Sequence, residues 1–390
     1  VEEEQRPRKI LVVDDEPDLQ PLVLQRMRRG IRRGQYQFLF AGNGVEALEL
    51  LRAVGDIDMV VSDINMPQMD GLTLLEQIPS VDPNIRAIIV SAYGDMANIR
   101  TAMNRGAFDF ITKPIDFTDL QVTIDRTLEH LAEWRSVLKA RDQLVSVQNE
   151  LSIATQIQQS VLPTQLPQGA GFHLHASMEA ARSVGGDFYD TIPLEGGRVG
   201  LAIADVSDKG VPAALFMMAS YTLLRAAAGT PDAGRTMQEV NNVLTETNVA
   251  GMFVTMFYAV FDPVSGSLTY ANGGHNPPVL LHEDGTTEQL PLTGGVALGV
   301  MSDLDYNVKS IDLAPGDTVF LYTDGIPEAI NGDEEEFGME RLCTTLTAAK
   351  DRNAHDVTDC VLTDLQAFVG DTPQFDDITC LTLRFTGAVP

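Results

Sequence analysis

At 390 residues the chain exceeds one typical domain, and at roughly 100 to 200 residues per domain it should hold two or three. A hydrophobic fraction of 44% supports sizeable cores, but a formal net charge of -28 works against a duplex DNA surface, which needs clustered Lys and Arg, so nucleic acid is not expected as a partner. The apolar runs at 10–13 and 85–90 fall far short of the roughly 20 residues a membrane helix needs, so no membrane span is expected.

In chain order, Glu2-Glu3-Glu4-Gln5-Arg6 lacks the apolar core of a signal peptide, which makes the cytoplasm the expected location. Short apolar runs then alternate with helical patterns: 10–13, 19–27, 38–41, 45–51 and 59–61, followed by 72–78, 87–90, 96–103, 108–111 and a helix after Asp116. Five such units with continuous apolar strands predict a five-stranded parallel sheet covered on both faces, with functional residues at the carboxyl ends of the strands. From residue 117 to about 162 the pattern stays helical, with no Gly or Pro before Pro163. Apolar residues step by three and four through Leu131, Trp134 and Leu138, lapse at Arg141-Asp142, and resume at Leu144, Val147, Leu151, Ala154 and Val161. This is coiled-coil spacing with a register break and predicts a linker helix paired in a homodimer. The same spacing admits one amphipathic helix lying on its own domain. Pro163, Pro167, Gly169 and Gly171 close it, so the expected segments are 8–125, a helical linker over 126–165, and 166–390. Beyond residue 172 the texture is β-rich, at 199–204, 253–261, 268–271, 279–282, 318–322 and 378–385. Helical patterns lie at 213–228 and 237–249, with another pair within 339–369, which predicts an α+β layered sandwich. Cys343, Cys360 and Cys380 show no metal or redox spacing and are expected to be buried thiols.

Two acidic constellations carry chemistry. Asp14 and Asp15 follow the first strand and Asp63 the third, so the fold should gather three carboxylates at one sheet edge. They suit one Mg2+ ion, which takes oxygen ligands and leaves room for a phosphoryl oxygen. Asp63 would be the nucleophile, with Ser91 and Lys113 holding the phosphoryl oxygens. Leu11-Val12-Val13-Asp14-Asp15-Glu16, Ser62-Asp63-Ile64-Asn65-Met66-Pro67, Asp70-Gly71, Ser91-Ala92 and Lys113-Pro114 resemble the receiver domain of two-component response regulators. The resemblance implies a flavodoxin-like fold over 8–125 and phosphorylation of Asp63 by a sensor histidine kinase or another phosphoryl donor. It further implies a carbonyl of Asn65 in the metal site and Phe110 as the rotating aromatic switch.

The second constellation sits in glycine-flanked turns: Gly185-Gly186-Asp187, Ala204-Asp205-Val206, Thr323-Asp324-Gly325 and Asp376-Asp377-Ile378-Thr379. Two divalent ions roughly 3.5 to 4 Å apart need several carboxylates and activate a water for attack on a phosphate. The histidines point to no zinc site, since His173 and His175 alternate on an expected strand and His275 sits alone in a Gly-rich turn. The stretches at 184–190, 205–213, 272–277 and 322–325 resemble the metal-dependent protein phosphatases of the 2C type, in their SpoIIE and RsbU-like branch. The resemblance implies a four-layer sandwich holding two Mn2+ or Mg2+ ions. Asp205 would bridge both, helped by the Val206 carbonyl and Asp187, while Asp324 and Asp376 hold the second ion and Asp377 is a weaker candidate. Asp208 stands where this branch usually has Gly, and Gly273 where Ala is common. Arg182 is either a bidentate donor to the substrate phosphate or a surface arginine, and His275 is expected to order its turn.

The combined expectation is a response regulator whose phosphorylation controls a serine/threonine phosphatase. By resemblance its substrate is a phosphorylated antagonist of an anti-sigma factor. The RssB-type regulators share this layout, which keeps open a non-catalytic adaptor that binds a sigma factor and directs its proteolysis. Retention of Asp187, Asp205, Asp324 and Asp376 favours catalysis.

Overall fold

A computed structural model describes residues 6–92 and 94–387, so the acidic stretch at 1–5 lies outside the described residues. The chain divides into two compact units, Val1–Ser146 and Val147–Pro390. In the first, β1 (Arg8–Val13), α1 (Leu19–Arg26), α2 (Arg28–Arg32), β2 (Tyr36–Ala41), α3 (Gly44–Val54) and β3 (Met59–Asp63) are followed by α4 (Gly71–Val81), β4 (Arg86–Ala92), α5 (Met96–Asn104) and β5 (Asp109–Lys113). The strands form one parallel sheet in the order β2-β1-β3-β4-β5, as the alternating pattern predicts. Leu11, Val13, Val60 and Ile89 pack on one face and Ile10, Val12, Val61 and Ile88 on the other, which is why the strands read as unbroken apolar runs. Side-chain caps start α3 and α4: Asn43 accepts from Val45 and Glu46 N–H, and Asp70 from Thr73 N–H.

The long helix α6 (Phe117–Val161) has the expected extent. Leu120, Ile124 and Leu128 pack into the first unit's core, and Arg135 pairs with buried Asp58 at 2.6 Å. From Val147 onward the same helix belongs to the second unit, where Val161 packs on the core. The segment expected as a separate linker is therefore divided between the two units.

The second unit contains β6 (Phe172–Glu179), β7 (Phe188–Pro193), β8 (Val199–Val206), α7 (Val211–Ala227), α8 (Ala233–Thr247), β9 (Val254–Phe261) and β10 (Ser267–Gly273). The chain continues through β11 (Val279–Leu281), β12 (Thr287–Gln289), β13 (Lys309–Asp312), β14 (Thr318–Tyr322), α9 (Gly338–Ala348), α10 (Ala354–Val369) and β15 (Ile378–Phe385). Two antiparallel sheets, β13-β10-β9-β8-β7 and β12-β11-β14-β15-β6, stack face to face over Leu201, Ile203, Phe257, Leu321, Leu381 and Leu383. Residues of the opposite register, Ala202 and Ala204, pack under α7 and α8 against Met217 and Met237. On the far side Phe320 and Cys380 pack under α9 and α10 against Leu342 and Val361. The result is the expected four-layer sandwich. Of the cysteines only Cys380 is fully buried; Cys343 and Cys360 lie on the helical layer and are half-buried, which corrects that expectation.

Candidate functional site

In the first unit β1 and β3 pair Val13 with Ser62, so Asp14, Asp15 and Asp63 leave adjacent strands at one level. One oxygen from each of the three carboxylates lies within 4.8 Å of the others. Asp63 is buried; its Oδ1 accepts from the Ile64 N–H at 2.8 Å and its Oδ2 from Lys113 Nζ at 3.0 Å. Lys113 also donates to Asp14 Oδ2 at 3.2 Å and Glu16 Oε1 at 2.9 Å. Burial pushes the Asp63 carboxyl above its ordinary value, opposed by Lys113 and reinforced by Asp14. Burial acts against the Lys113 ammonium, yet its bonds to Glu16, Asp63 and Asp14 hold its pKa above that of a free lysine. Ser91, one residue beyond the β4 partner of Asp63, has a buried hydroxyl with no hydrogen-bond partner. A phosphoryl oxygen on Asp63 would give it one, and the oxygen-only donor set suits a hard divalent ion. Gly71 is required because a Cβ there would overlap the Asp63 carbonyl. Asn65 is exposed in the loop after β3, and Phe110 is exposed on β5.

In the second unit, register gathers four turns. Phe188 pairs with Ala204, which sets Asp187 against Asp205 at one end of the first sheet. Tyr322 pairs with Cys380, which brings Asp324 towards Asp376 at the same end of the second sheet. The carboxylates influence one another in sequence. Burial, then the charges of Asp205 and Asp377, drive the Asp187 carboxyl well above its ordinary range. Burial and then Asp324 push Asp205 up to about 7, although it shares a hydrogen bond with Asp187. Burial and then Asp376 push Asp324 up to about 6. Mutually repelling carboxylates in a desolvated pocket are a donor set that fits divalent cations. The nearby cation on the chain is Lys209, whose Nζ lies 2.8 Å from Asp376 Oδ2 and over the exposed Phe375 ring.

The geometry separates the two neighbouring aspartates at 376 and 377. Asp377 accepts from the N–H groups of Ala181 at 2.8 Å, Gly186 at 2.7 Å and, more weakly, Asp187 at 3.4 Å. Its carboxylate is used in holding the Gly185–Asp187 turn, whereas Asp376 faces Lys209. Thr323 Oγ1 donates to Asp187 Oδ2 at 2.7 Å. Arg182 is exposed with its guanidinium close to Gly210, and it has no carboxylate partner among the described residues. Asp208 adopts φ 69, the left-handed conformation that explains glycine at this position in the related pattern. A Cβ on Gly273 would press on the side-chain ends of Leu298 and Met237, which would have to shift to admit alanine.

Sequence reasoning missed Gln158. This buried residue of α6 donates from Nε2 to the Gly185 carbonyl at 2.6 Å and accepts from the Gly185 N–H at 3.1 Å. The turn carrying Asp187 is thus held by Gln158 from one side and Asp377 from the other.

Residues 10–125 match the family described as response regulator receiver domain, and residues 195–386 match Stage II sporulation protein E (SpoIIE). The phosphoserine phosphatase RsbU of Bacillus subtilis is 30% identical over 246 residues, covering 61% of this chain and 70% of RsbU. The chain belongs to the SpoIIE family of protein phosphatases. Protein IcfG of Synechocystis sp. is 34% identical over 262 residues, covering 60% of this chain and 41% of IcfG. The SiaA-PP2C domain of Pseudomonas aeruginosa shares the fold, with a TM-score of 0.56 at 23% identity over 62% of this chain and 98% of that one. In this SpoIIE-family chain the matched region begins at residue 195, so Gln158, Gly185 and Asp187 lie in front of it. No helix among the described residues is long and apolar enough to cross a membrane.

Proposed function

We propose that this chain is a metal-dependent serine/threonine protein phosphatase whose activity is set by phosphorylation of Asp63. The observation that carries the reading is the gathering of Asp187, Asp205, Asp324 and Asp376 at one end of the two sheets, where burial and neighbouring carboxylates push the pKa values of Asp187, Asp205 and Asp324 up. Asp205 and Asp187, with the Val206 carbonyl, would hold one Mn2+ or Mg2+ ion, and Asp324 and Asp376 with Asp205 would hold a second. The ions supply an activated water and charge neutralisation for attack on a phosphoserine or phosphothreonine. Arg182 orients the substrate phosphate from the exposed rim. Asp377, Thr323 and Gln158 keep the Asp187 turn in place. The kinship to RsbU, a phosphoserine phosphatase, supports phosphoserine as the substrate group. A phosphorylated anti-sigma-factor antagonist is the substrate protein that this kinship favours.

In the receiver, Asp63 accepts a phosphoryl group from a sensor histidine kinase or another donor, with Mg2+ on Asp14, Asp15, Asp63 and the Asn65 carbonyl. Lys113 and Ser91 bind the phosphoryl oxygens, and Phe110 responds. The helix α6 carries the change, since Gln158 near its end grips the metal turn. Trp134, Val137, Leu144 and Val147 are exposed apolar residues on α6, which supports pairing with a second copy. The retained carboxylates count against the adaptor reading, and the cytoplasm is the proposed location.

The test is phosphate release from a phosphoserine protein with Mn2+ or Mg2+, comparing wild type with Asp205→Asn, each with and without beryllofluoride. Metal-dependent release that Asp205→Asn abolishes and beryllofluoride alters is expected. No release by wild type under any condition would sink the reading in favour of the adaptor.

A further inference from the structure

Outside the acidic turns, the edge strand β6 of the second sheet packs against α10. His175 of β6 pairs in register with Thr382 of β15, and its ring packs against that of His355, with centroids 4.4 Å apart. One helical turn along α10, Asp359 Oδ2 lies 3.2 Å from His355 Nδ1. One ligand atom from each of His175, His355 and Asp359 lies within 4.8 Å of the other two. We propose that these three residues form a second kind of metal site, with Zn2+ as its occupant.

The donor set carries the assignment. Two imidazoles and one carboxylate suit zinc and its neighbours in the transition series, whereas both acidic sites offer oxygen alone and suit harder ions. Residues four apart on a helix share a face, so α10 presents His355 and Asp359 together towards β6. Zinc bonds of about 2.0 to 2.2 Å in a tetrahedron separate ligand atoms by roughly 3.4 Å. The His355–Asp359 pair already stands at that spacing, and torsion of the exposed His355 and Asp359 side chains brings the pair onto His175. Burial, followed by the nearby His355, holds His175 below its ordinary pKa, which favours the neutral imidazole a metal binds. Three protein ligands leave a position for water. Asp356 Oδ1, 3.4 Å from the same Nδ1, adds negative charge beside the site.

A bound ion would fasten the edge strand to α10. Just beyond the end of β6 the Ala181 N–H holds Asp377, so the clip stiffens the strand whose continuation leads into the Asp187 turn.

The test uses the untagged full chain with Cu2+ as a spectroscopic probe. One equivalent should show nitrogen superhyperfine coupling in its electron paramagnetic resonance spectrum, because the acidic sites supply no nitrogen. Zn2+ should displace it and raise the unfolding temperature. His355→Gln and Asp359→Asn, both at exposed positions, should each weaken Zn2+ binding at least about tenfold. His175→Ala/His355→Gln should abolish the nitrogen signal, while His173→Ala on the same strand should keep it. Absence of nitrogen coupling in wild type, or its persistence in His175→Ala/His355→Gln, overturns the proposal. Unfolding in EDTA shows whether each variant is folded, and if His175→Ala is not, the two exposed variants decide the outcome.

Discussion

Lowering the pH from 7 to 5 should destabilise the second unit through one buried imidazole, that of His275. The residue sits in the turn after β10, where its Nδ1 is 2.8 Å from the Thr255 hydroxyl and its Nε2 is 3.2 Å from the Tyr322 carbonyl. A carbonyl only accepts, so Nε2 carries the proton and Nδ1 accepts from Thr255; the neutral ring is fully satisfied. A second proton would place an imidazolium where no carboxylate is hydrogen-bonded to it. Burial therefore pushes the pKa down to about 4, against the raising effect of the Tyr322 carbonyl. In the unfolded chain the value is about 6.5. Because the folded value is the lower one, the stabilising contribution is complete above the unfolded pKa and is lost as pH falls towards the folded pKa. At about 1.4 kcal/mol per unit, the loss is about 2 kcal/mol at pH 5 and about 3 kcal/mol at pH 4.

The buried carboxylates act in the opposite direction. Asp187, Asp205 and Asp324 have raised pKa values, so acidification relieves their charge, and a wild-type profile alone mixes the two effects. The assay is therefore a difference between wild type and His275→Gln, which cannot titrate but keeps an N–H for the Tyr322 carbonyl. Amide hydrogen exchange in β9 and β10 should follow the second unit, because the chain's one tryptophan, Trp134, lies in the first. The stability gap between wild type and variant should shrink by about 2 kcal/mol from pH 7 to pH 5. A gap that does not change with pH refutes the reasoning.

Four further outcomes follow from packing, a buried ion pair and backbone geometry. Gly325→Ala should destabilise the second unit by about 3 kcal/mol or more in urea titration, because a Cβ there would overlap the Asp377 carbonyl. Gly332→Ala, with open space around it, should stay within about 0.5 kcal/mol of wild type. Arg225→Met should cost about 2 to 3 kcal/mol, since it removes both guanidinium bonds, at 2.8 and 2.7 Å, from the fully buried Asp190. An unchanged unfolding midpoint would show that Asp190 finds water instead. Asp208→Gly should stabilise the unit by up to about 1 kcal/mol in thermal unfolding, because it relieves a left-handed backbone, and a loss would contradict the strain argument.

The first unit is legible in the sequence because each parallel strand is buried on both faces and reads as an unbroken apolar run with its carboxylate just beyond. The helices of the second unit are legible through spacing such as Met237, Val240 and Leu244 on α8. β7 is not, because it carries Asp190 at the centre of its buried face, and the Arg225 that satisfies it comes from α7. The acidic turns announce themselves as Gly-Asp and Asp-Gly pairs, but Asp376 and Asp377 are interchangeable on paper. They part company at the start of β15, where successive side chains point to opposite sides: one reaches three N–H groups and the other Lys209. Gln158 is the hardest case. A glutamine on a polar helix resembles solvated surface, and what it grips is the peptide group of Gly185, which has no side chain to signal a partner. Only a carboxamide gives one N–H and takes another at the same peptide group; glutamate would keep the bond from the Gly185 N–H and face the Gly185 carbonyl with a second acceptor. The identity of residue 158 is therefore dictated by backbone polarity in a turn that only the folded sheet register creates.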